Sequence, residues 1–269
     1  MSKMARIMKK ILNWLKKLFG KINGKIVIPN WDECTKSSNW SGKNAAKRMM
    51  NILSPHMADA TFKERVAWMK GRGCNCAHVF VTNKADGEKA GYSPYGNKFD
   101  FVLDKNYCKV MGDRIKYLNK QGLGVILWLM ADDSNAWAKT AQNNFAHYCK
   151  DIKELGWFDY ASTVVIGLEI EEYWNNAGVI ANLVKATKQF YKGKVGTHHI
   201  SGSYALAGAS DIAFVQLNPG QSDSAISSYV RKVKGALNKP VNMFELERNE
   251  DRHRSEVALK AGAFGVGNW

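Results

Sequence analysis

The sequence predicts an α/β fold, a single (β/α)8 TIM barrel. Eight apolar, strand-like runs alternate with helix-patterned segments from residue 24 onward. Eight alternations in about 250 residues are the arithmetic of that barrel. Glycines such as Gly71, Gly122 and Gly193 close helices just before the next strand, where a C-terminal glycine belongs. A doubly wound open sheet fits less well. It has five or six strands and a glycine-rich phosphate loop after the first, whereas IPNWDECTKSSNW is aromatic and polar.

The predicted strands follow in order. They are Lys25–Pro29, Asn75–Val81, Gly124–Met130, Thr163–Glu169, Lys194–His199, Ile212–Leu217, Val241–Glu245 and Ala263–Asn268. Each is a short apolar run bounded by turn residues, as a strand buried on both faces should be. The predicted helices are Thr61–Lys70, Tyr107–Lys120, Asn144–Leu155, Ile180–Tyr191, Ala225–Leu237 and Ser255–Ala261. The fifth connection, near Tyr204–Gly208, is short and weakly patterned.

Residues 1–23 are expected to form an amphipathic helix, and residues 24–269 the barrel. Met4, Ile7, Met8, Ile11, Leu12, Leu15, Leu18, Phe19 and Ile22 recur at three-four spacing, with Lys9, Lys10, Lys16 and Lys17 opposite. Lysine pairs interrupt any secretory h-region. The chain ends at Trp269, directly after the eighth strand. The helix is therefore expected to replace the eighth outer helix, because an uncovered parallel strand is unfavourable. Lying on an anionic membrane surface is the alternative, and it is not favoured.

The formal charge is +15, but residues 1–25 hold eight basic residues and no acid. The remaining 31 basic residues face 24 acids, which weakens a nucleic-acid reading. Five cysteines, an odd number, and no secretory pattern point to a reducing compartment, cytoplasmic, or to release by lysis. Cys74, Cys76 and His78 alternate along a predicted strand face, but no fourth ligand stands near, so neither a metal nor a cofactor is expected. A monomer is expected.

Barrel chemistry gathers at the C-terminal strand ends. Those ends carry Asn30, Trp31 and Asp32; Asp132 and Asp133, with Trp137 beyond; Glu169, Glu171 and Glu172, with Trp174 beyond; His198 and His199; Gln216 and Asn218; Glu245 and Glu247; and Asn268 with Trp269. A carboxylate on an apolar strand is costly unless it is paired or faces a wet cavity. Glu247 and Glu250 read as rim acids beside Arg248, Arg252 and Arg254. Glu245 follows Val241–Phe244 directly and is expected at the strand's last inward position. Two glutamates facing each other across a barrel mouth suit glycoside cleavage.

These motifs resemble the retaining clan A of glycoside hydrolases, which includes the family 5 cellulases and mannanases. That clan places an Asn-Glu pair after strand four and a second Glu at the end of strand seven. Gly167-Leu168-Glu169-Ile170-Glu171-Glu172 is similar to the first motif and Lys239-Pro240-Val241-Asn242-Met243-Phe244-Glu245 to the second. Gly73-Cys74-Asn75-Cys76-Ala77-His78 resembles the strand-two motif Gly-x-Asn-x-x-Arg, and Trp269 the clan's substrate-facing Trp. The resemblance implies a retaining endo-β-glycanase with Glu172 as acid/base and Glu245 as nucleophile. Trp31, Asp32, His78, Asp132, Trp137, Glu169, Glu171, Trp174, His198, Asn218 and Trp269 would contact the sugar. Glu171 stands where the clan has Asn, and could itself be the acid. His78 stands where the clan has Arg, and Gln216-Leu217-Asn218 lies where a His-x-Tyr is expected. Two further readings stay open: a catalytically silent barrel that binds carbohydrate or protein, and a metal-dependent enzyme using Asp32, His78, His198 and the acids.

Overall fold

A computed structural model describes residues 21–22, 25–26, 58–71, 74–82, 93–95, 101–130, 135–217, 220–244 and 252–267. Two two-residue strands, β1 (Lys21–Ile22) and β2 (Lys25–Ile26), pair antiparallel. The other strands form one seven-stranded sheet in chain order: β3 (Cys76–Phe80), β4 (Gly124–Met130), β5 (Ala161–Gly167), β6 (Lys194–His199), β7 (Ile212–Gln216), β8 (Val241–Phe244) and β9 (Gly265–Gly267). Every pairing in this sheet is parallel. Helices cross between the strands: α1 (Asp59–Gly71), α2 (Lys105–Lys120), α3 (Asn135–Glu154), α4 (Ala177–Phe190), α5 (Asp223–Leu237) and α6 (Arg252–Lys260). Between β6 and β7 a 3-10 turn, Tyr204–Ala209, takes the place of a helix.

Seven of the eight expected strands thus lie in the sheet. The first does not among the described residues: Lys25–Ile26 pairs with Lys21–Ile22, two residues assigned in the sequence reading to the amphipathic helix. The rest of that helix, residues 1–20 and 23, lies outside the described residues. No helix among the described residues is long and apolar enough to cross a membrane.

The strands form because they are buried on both faces. All seven residues of β4, GVILWLM, and of β5, ASTVVIG, are buried. The helices cover the outer face with apolar stripes, such as Met111, Ile115 and Leu118 of α2 or Ile226, Val230 and Val233 of α5. Asp104, Asn176 and Ser222 cap α2, α4 and α5 by accepting backbone N–H groups of the first turn, which satisfies otherwise unpaired donors. Three tyrosines tie helices to strands: Tyr107 donates to the Val81 carbonyl, Tyr148 to Leu129 and Tyr191 to Ala161.

The sheet curls. A separate apolar cluster, Phe80, Ile126, Trp128, Val165, Leu168, Ile212, Phe214 and Phe244, fills its concave side. His78 on β3 meets Phe244 on β8 with ring centroids 4.9 Å apart, although four strands separate β3 from β8. A flat sheet would hold those strands more than 20 Å apart, at about 4.8 Å per strand.

The interior leaves room for some glycines only because they lack a side chain. A Cβ on Gly196 would lie 2.6 Å from the Phe214 ring, and one on Gly267 would lie 2.6 Å from the Phe244 ring and 3.0 Å from His78 Nε2. Neither ring can yield in a packed interior. Gly196→Ala and Gly267→Ala are each expected to destabilise the fold by about 1–3 kcal/mol. Gly208→Ala, where a Cβ meets nothing within 4 Å, serves as the control. Urea midpoints for the three variants check this.

Candidate active site

The site is built where the polypeptide leaves the strands. β5 ends at Gly167, two residues earlier than the sequence pattern suggests, and Glu169 adopts a left-handed conformation (φ 45, ψ 49). A non-glycine residue there costs about 1–3 kcal/mol and persists only where its surroundings over-determine it. Ile170–Glu172 then form one 3-10 turn, closed by the Glu172 N–H donating to the Glu169 carbonyl at 3.0 Å.

The three acids of this turn have different surroundings. Glu169 is half-buried, and its backbone N–H donates to His198 Nδ1 at 3.0 Å. Glu171 is buried. One of its carboxylate oxygens meets His199 Nδ1 at 2.9 Å and the other accepts the Ile200 N–H. Both oxygens thus have partners within the protein. Glu172 is exposed.

Two expected sugar contacts lie in the concave core. His78 is 4% exposed, and its Nδ1 accepts the Trp128 indole N–H at 2.8 Å. An indole nitrogen only donates, so the neutral imidazole carries its proton on Nε2. Burial pushes the His78 pKa down to about 3. His198 is fully enclosed, with Trp128 and Phe244 rings 5.5 and 5.3 Å away. Burial first, then the neighbouring His199 and His78, holds it well below the usual histidine range. Its Nδ1 accepts from Glu169, so its proton sits on Nε2. That atom has no partner among the described residues, nor do the side-chain oxygens of Gln216 and Asn242.

One expected contact is corrected. Trp174 is 7% exposed and packs in the core between sheet and helices with Ile170 and Ile180. So little of its surface is exposed that it offers no open ring face for a sugar to stack on. The expected strand-two cysteine face is also corrected. Cys74 precedes β3 and packs with the outer clusters, whereas Cys76 packs with the concave one. No group of three or more His, Cys, Asp or Glu side chains that could hold a metal occurs among the described residues. Trp31, Asp32, Asp132, Asn218, Glu245 and Trp269 lie outside the described residues, as does the side chain of Trp137. Phe244 is the last concave-facing residue described on β8.

Lys239 of the Lys-Pro pair sits at the other end of β8. Its Nζ donates to the carbonyls of Ala207, Gly208 and Ser210, closing the 3-10 turn before β7. Sequence reading also missed Trp128, which gave no signal inside an apolar run, and the division of labour between His198 and His199. Strand alternation alone could have found the second, since neighbours on a strand face opposite sides.

No family model matches the chain, and no curated protein matches it by sequence. Solved structures do. A GH113 β-mannanase from Alicyclobacillus acidocaldarius superposes with TM-score 0.56 at 14% identity, covering 86% of this chain and 89% of that one. A family 5 glycoside hydrolase from Bacteroides vulgatus gives TM-score 0.58 at 16% identity, covering 80% of this chain and 56% of that one. A GH18 chitinase from Pseudoalteromonas aurantia gives 0.52 at 10%, covering 73% and 86%. The likeness is one of fold: a curled, parallel α/β sheet like that of a TIM barrel.

The buried histidines make stability depend on pH. An unfolded histidine protonates near 6.5, whereas His78 resists to about 3 and His198 titrates well below 6.5. Between these values the unfolded chain binds more protons, so stability is fully present above pH 6.5 and falls as the pH drops below it. Each histidine contributes a loss of up to about 1.4 kcal/mol per pH unit. The urea midpoint is expected to fall from pH 7 to pH 5.5, and to fall less in His78→Asn.

Proposed function

We propose that this protein is a retaining endo-β-glycanase working through two glutamates. Glu169 donates its proton to the glycosidic oxygen as the bond to the anomeric carbon breaks. The Glu245 carboxylate bonds to that carbon. Glu169 then takes a proton from water, which attacks the same carbon and releases Glu245. The observation that carries the reading is the left-handed Glu169, held by the concave-facing His198 at the mouth of a glycoside hydrolase fold. The clan motif aligns Glu172 with the acid instead. Glu169 is preferred because Glu172 is exposed, one 3-10 turn further along the chain. Glu245 rests on the Lys-Pro motif that precedes it. A separation of about 5–5.5 Å between the two carboxyl groups is required for this mechanism.

A silent carbohydrate-binding barrel is the second reading. It is favoured by the burial of Glu171 and His78, which stand where the clan has its sugar-contacting Asn and its Arg.

Soluble β-1,4-mannan, β-1,4-glucan and chitin oligomers separate the two. The expected result is cleavage of at least one with retention at the anomeric carbon, followed by NMR of the fresh product. Glu245→Gln should lower kcat by at least about a thousandfold. Glu169→Gln should lower turnover of the polysaccharide by about a hundredfold or more, and spare an activated aryl glycoside that needs no protonation. Glu172→Gln should stay within about tenfold of wild type on both. The reverse ranking returns the acid to Glu172. Binding of an oligomer without cleavage establishes the silent reading.

A further inference from the structure

We propose that His198 and His199 act together as a two-sided clamp on the turn after β5 and are positioning residues for Glu169. Consecutive strand residues face opposite sides of a sheet. At the end of β6, His198 faces the concave side, against Trp128 and Phe244. His199 faces the outer side, where its Nε2 meets Thr197 Oγ1 at 3.0 Å. The turn straddles this strand end. Two residues apart, it delivers the Glu169 N–H to His198 Nδ1 and the Glu171 carboxylate to His199 Nδ1. The Ile200 N–H adds a third tie, to the other oxygen of Glu171.

The outer half of the clamp is anchored further. Thr197 Oγ1 reaches Ser210 Oγ at 3.2 Å, and the single Ser210 O–H is shared between the carbonyls of Ala207 and Ile212, 2.9 and 2.8 Å away. The grip on the turn is thus continuous with the 3-10 turn that precedes β7. The inner half needs an acceptor. A protonated His198 would set an N–H against the Glu169 N–H, and its enclosure by aromatic rings keeps the lone pair on Nδ1 available. Both halves bear on the residue that most needs fixing, the left-handed Glu169.

The clamp stands on geometry alone, while its catalytic meaning rests on Glu169 being the acid. The test therefore has two independent readouts. The first is the 13Cα and 13Cβ chemical shifts of Glu169, which report its left-handed backbone with no substrate present. The second is kcat on a cleaved β-1,4-linked oligosaccharide against kcat on the 2,4-dinitrophenyl glycoside of the same sugar.

Glu171→Gln and His198→Leu are expected to move the Glu169 shifts out of the left-handed range. His198→Asn, whose side-chain oxygen can accept the same N–H, should restore them and provides a variant of milder effect on folding. In kinetics, Glu171→Gln should slow the oligosaccharide at least tenfold and leave the aryl glycoside within twofold. A purely structural role would slow both alike. Unchanged Glu169 shifts in folded Glu171→Gln and His198→Leu overturn the clamp. Parallel loss on both substrates, with the shifts moved, overturns its positioning role. Moved shifts in a protein that cleaves neither substrate uphold the clamp and remove the hydrolase reading instead.

Discussion

The concave side of the sheet is organised around Trp128. Its indole lies with ring centroids 5.0 Å from Phe80, 5.0 Å from Phe244, 5.5 Å from His198, 5.6 Å from His78 and 5.7 Å from Phe214. These rings come from four other strands, so one side chain joins most of the sheet across its hollow. An indole N–H buried there without an acceptor would cost about 1–3 kcal/mol. His78 Nδ1 supplies the acceptor, and in doing so fixes its own tautomer. The same aromatic enclosure keeps His198 neutral, and a neutral His198 is what can accept the Glu169 N–H. The hydrophobic core and the proposed acid are therefore joined by two hydrogen bonds and a shared set of rings.

Most of the fold was legible in the sequence, because period and punctuation carry it. Gly124–Met130 and Lys194–His199 are strands with the boundaries the pattern predicts. The boundary that failed is the one at the site. The apolar run of β5 continues through Leu168 into Glu169, so hydrophobicity extends the strand two residues past its real end. Nothing in the residue types marks the left-handed turn, since glycine is the usual signal for positive φ and here the residue is glutamate. Asn144, with φ −120 and ψ 19 inside α3, was legible in part: the pattern starts a helix there, at the kink, but misses the turns that precede it. Trp174 shows the converse error: an aromatic beside a catalytic motif reads as a ligand platform, yet the turn carries it back into the core.

The Lys-Pro pair before β8 also changes meaning once its surroundings are known. Its lysine donates three hydrogen bonds to carbonyls at the far end of the strand from Glu245. Burial lowers the Lys239 pKa from its ordinary value, the Asp211 carboxylate works against that, and the three carbonyls accept the N–H groups of the ammonium. A motif shared with glycoside hydrolases can therefore persist for the strand's own sake. Its presence supports the fold more strongly than it supports the nucleophile.

The departures from the clan pattern follow a related logic. Where the clan carries an asparagine, this chain has Glu171, and a histidine from β6 stands 2.9 Å from its carboxylate. Where the clan carries an arginine, this chain has His78, and the Trp128 indole donates to it. An arginine at position 78 would bring a permanent charge into a core of aromatic rings, and an asparagine at position 171 could not pair as an anion with His199. Each departure sits beside a partner suited to it and to the clan's residue less well. The matching does not extend to the whole concave side, since His198 Nε2 and the side-chain oxygens of Gln216 and Asn242 have no partner among the described residues. One match joins β3 to β4 and the other joins β6 to the turn after β5, so each departure is accounted for by the packing around it.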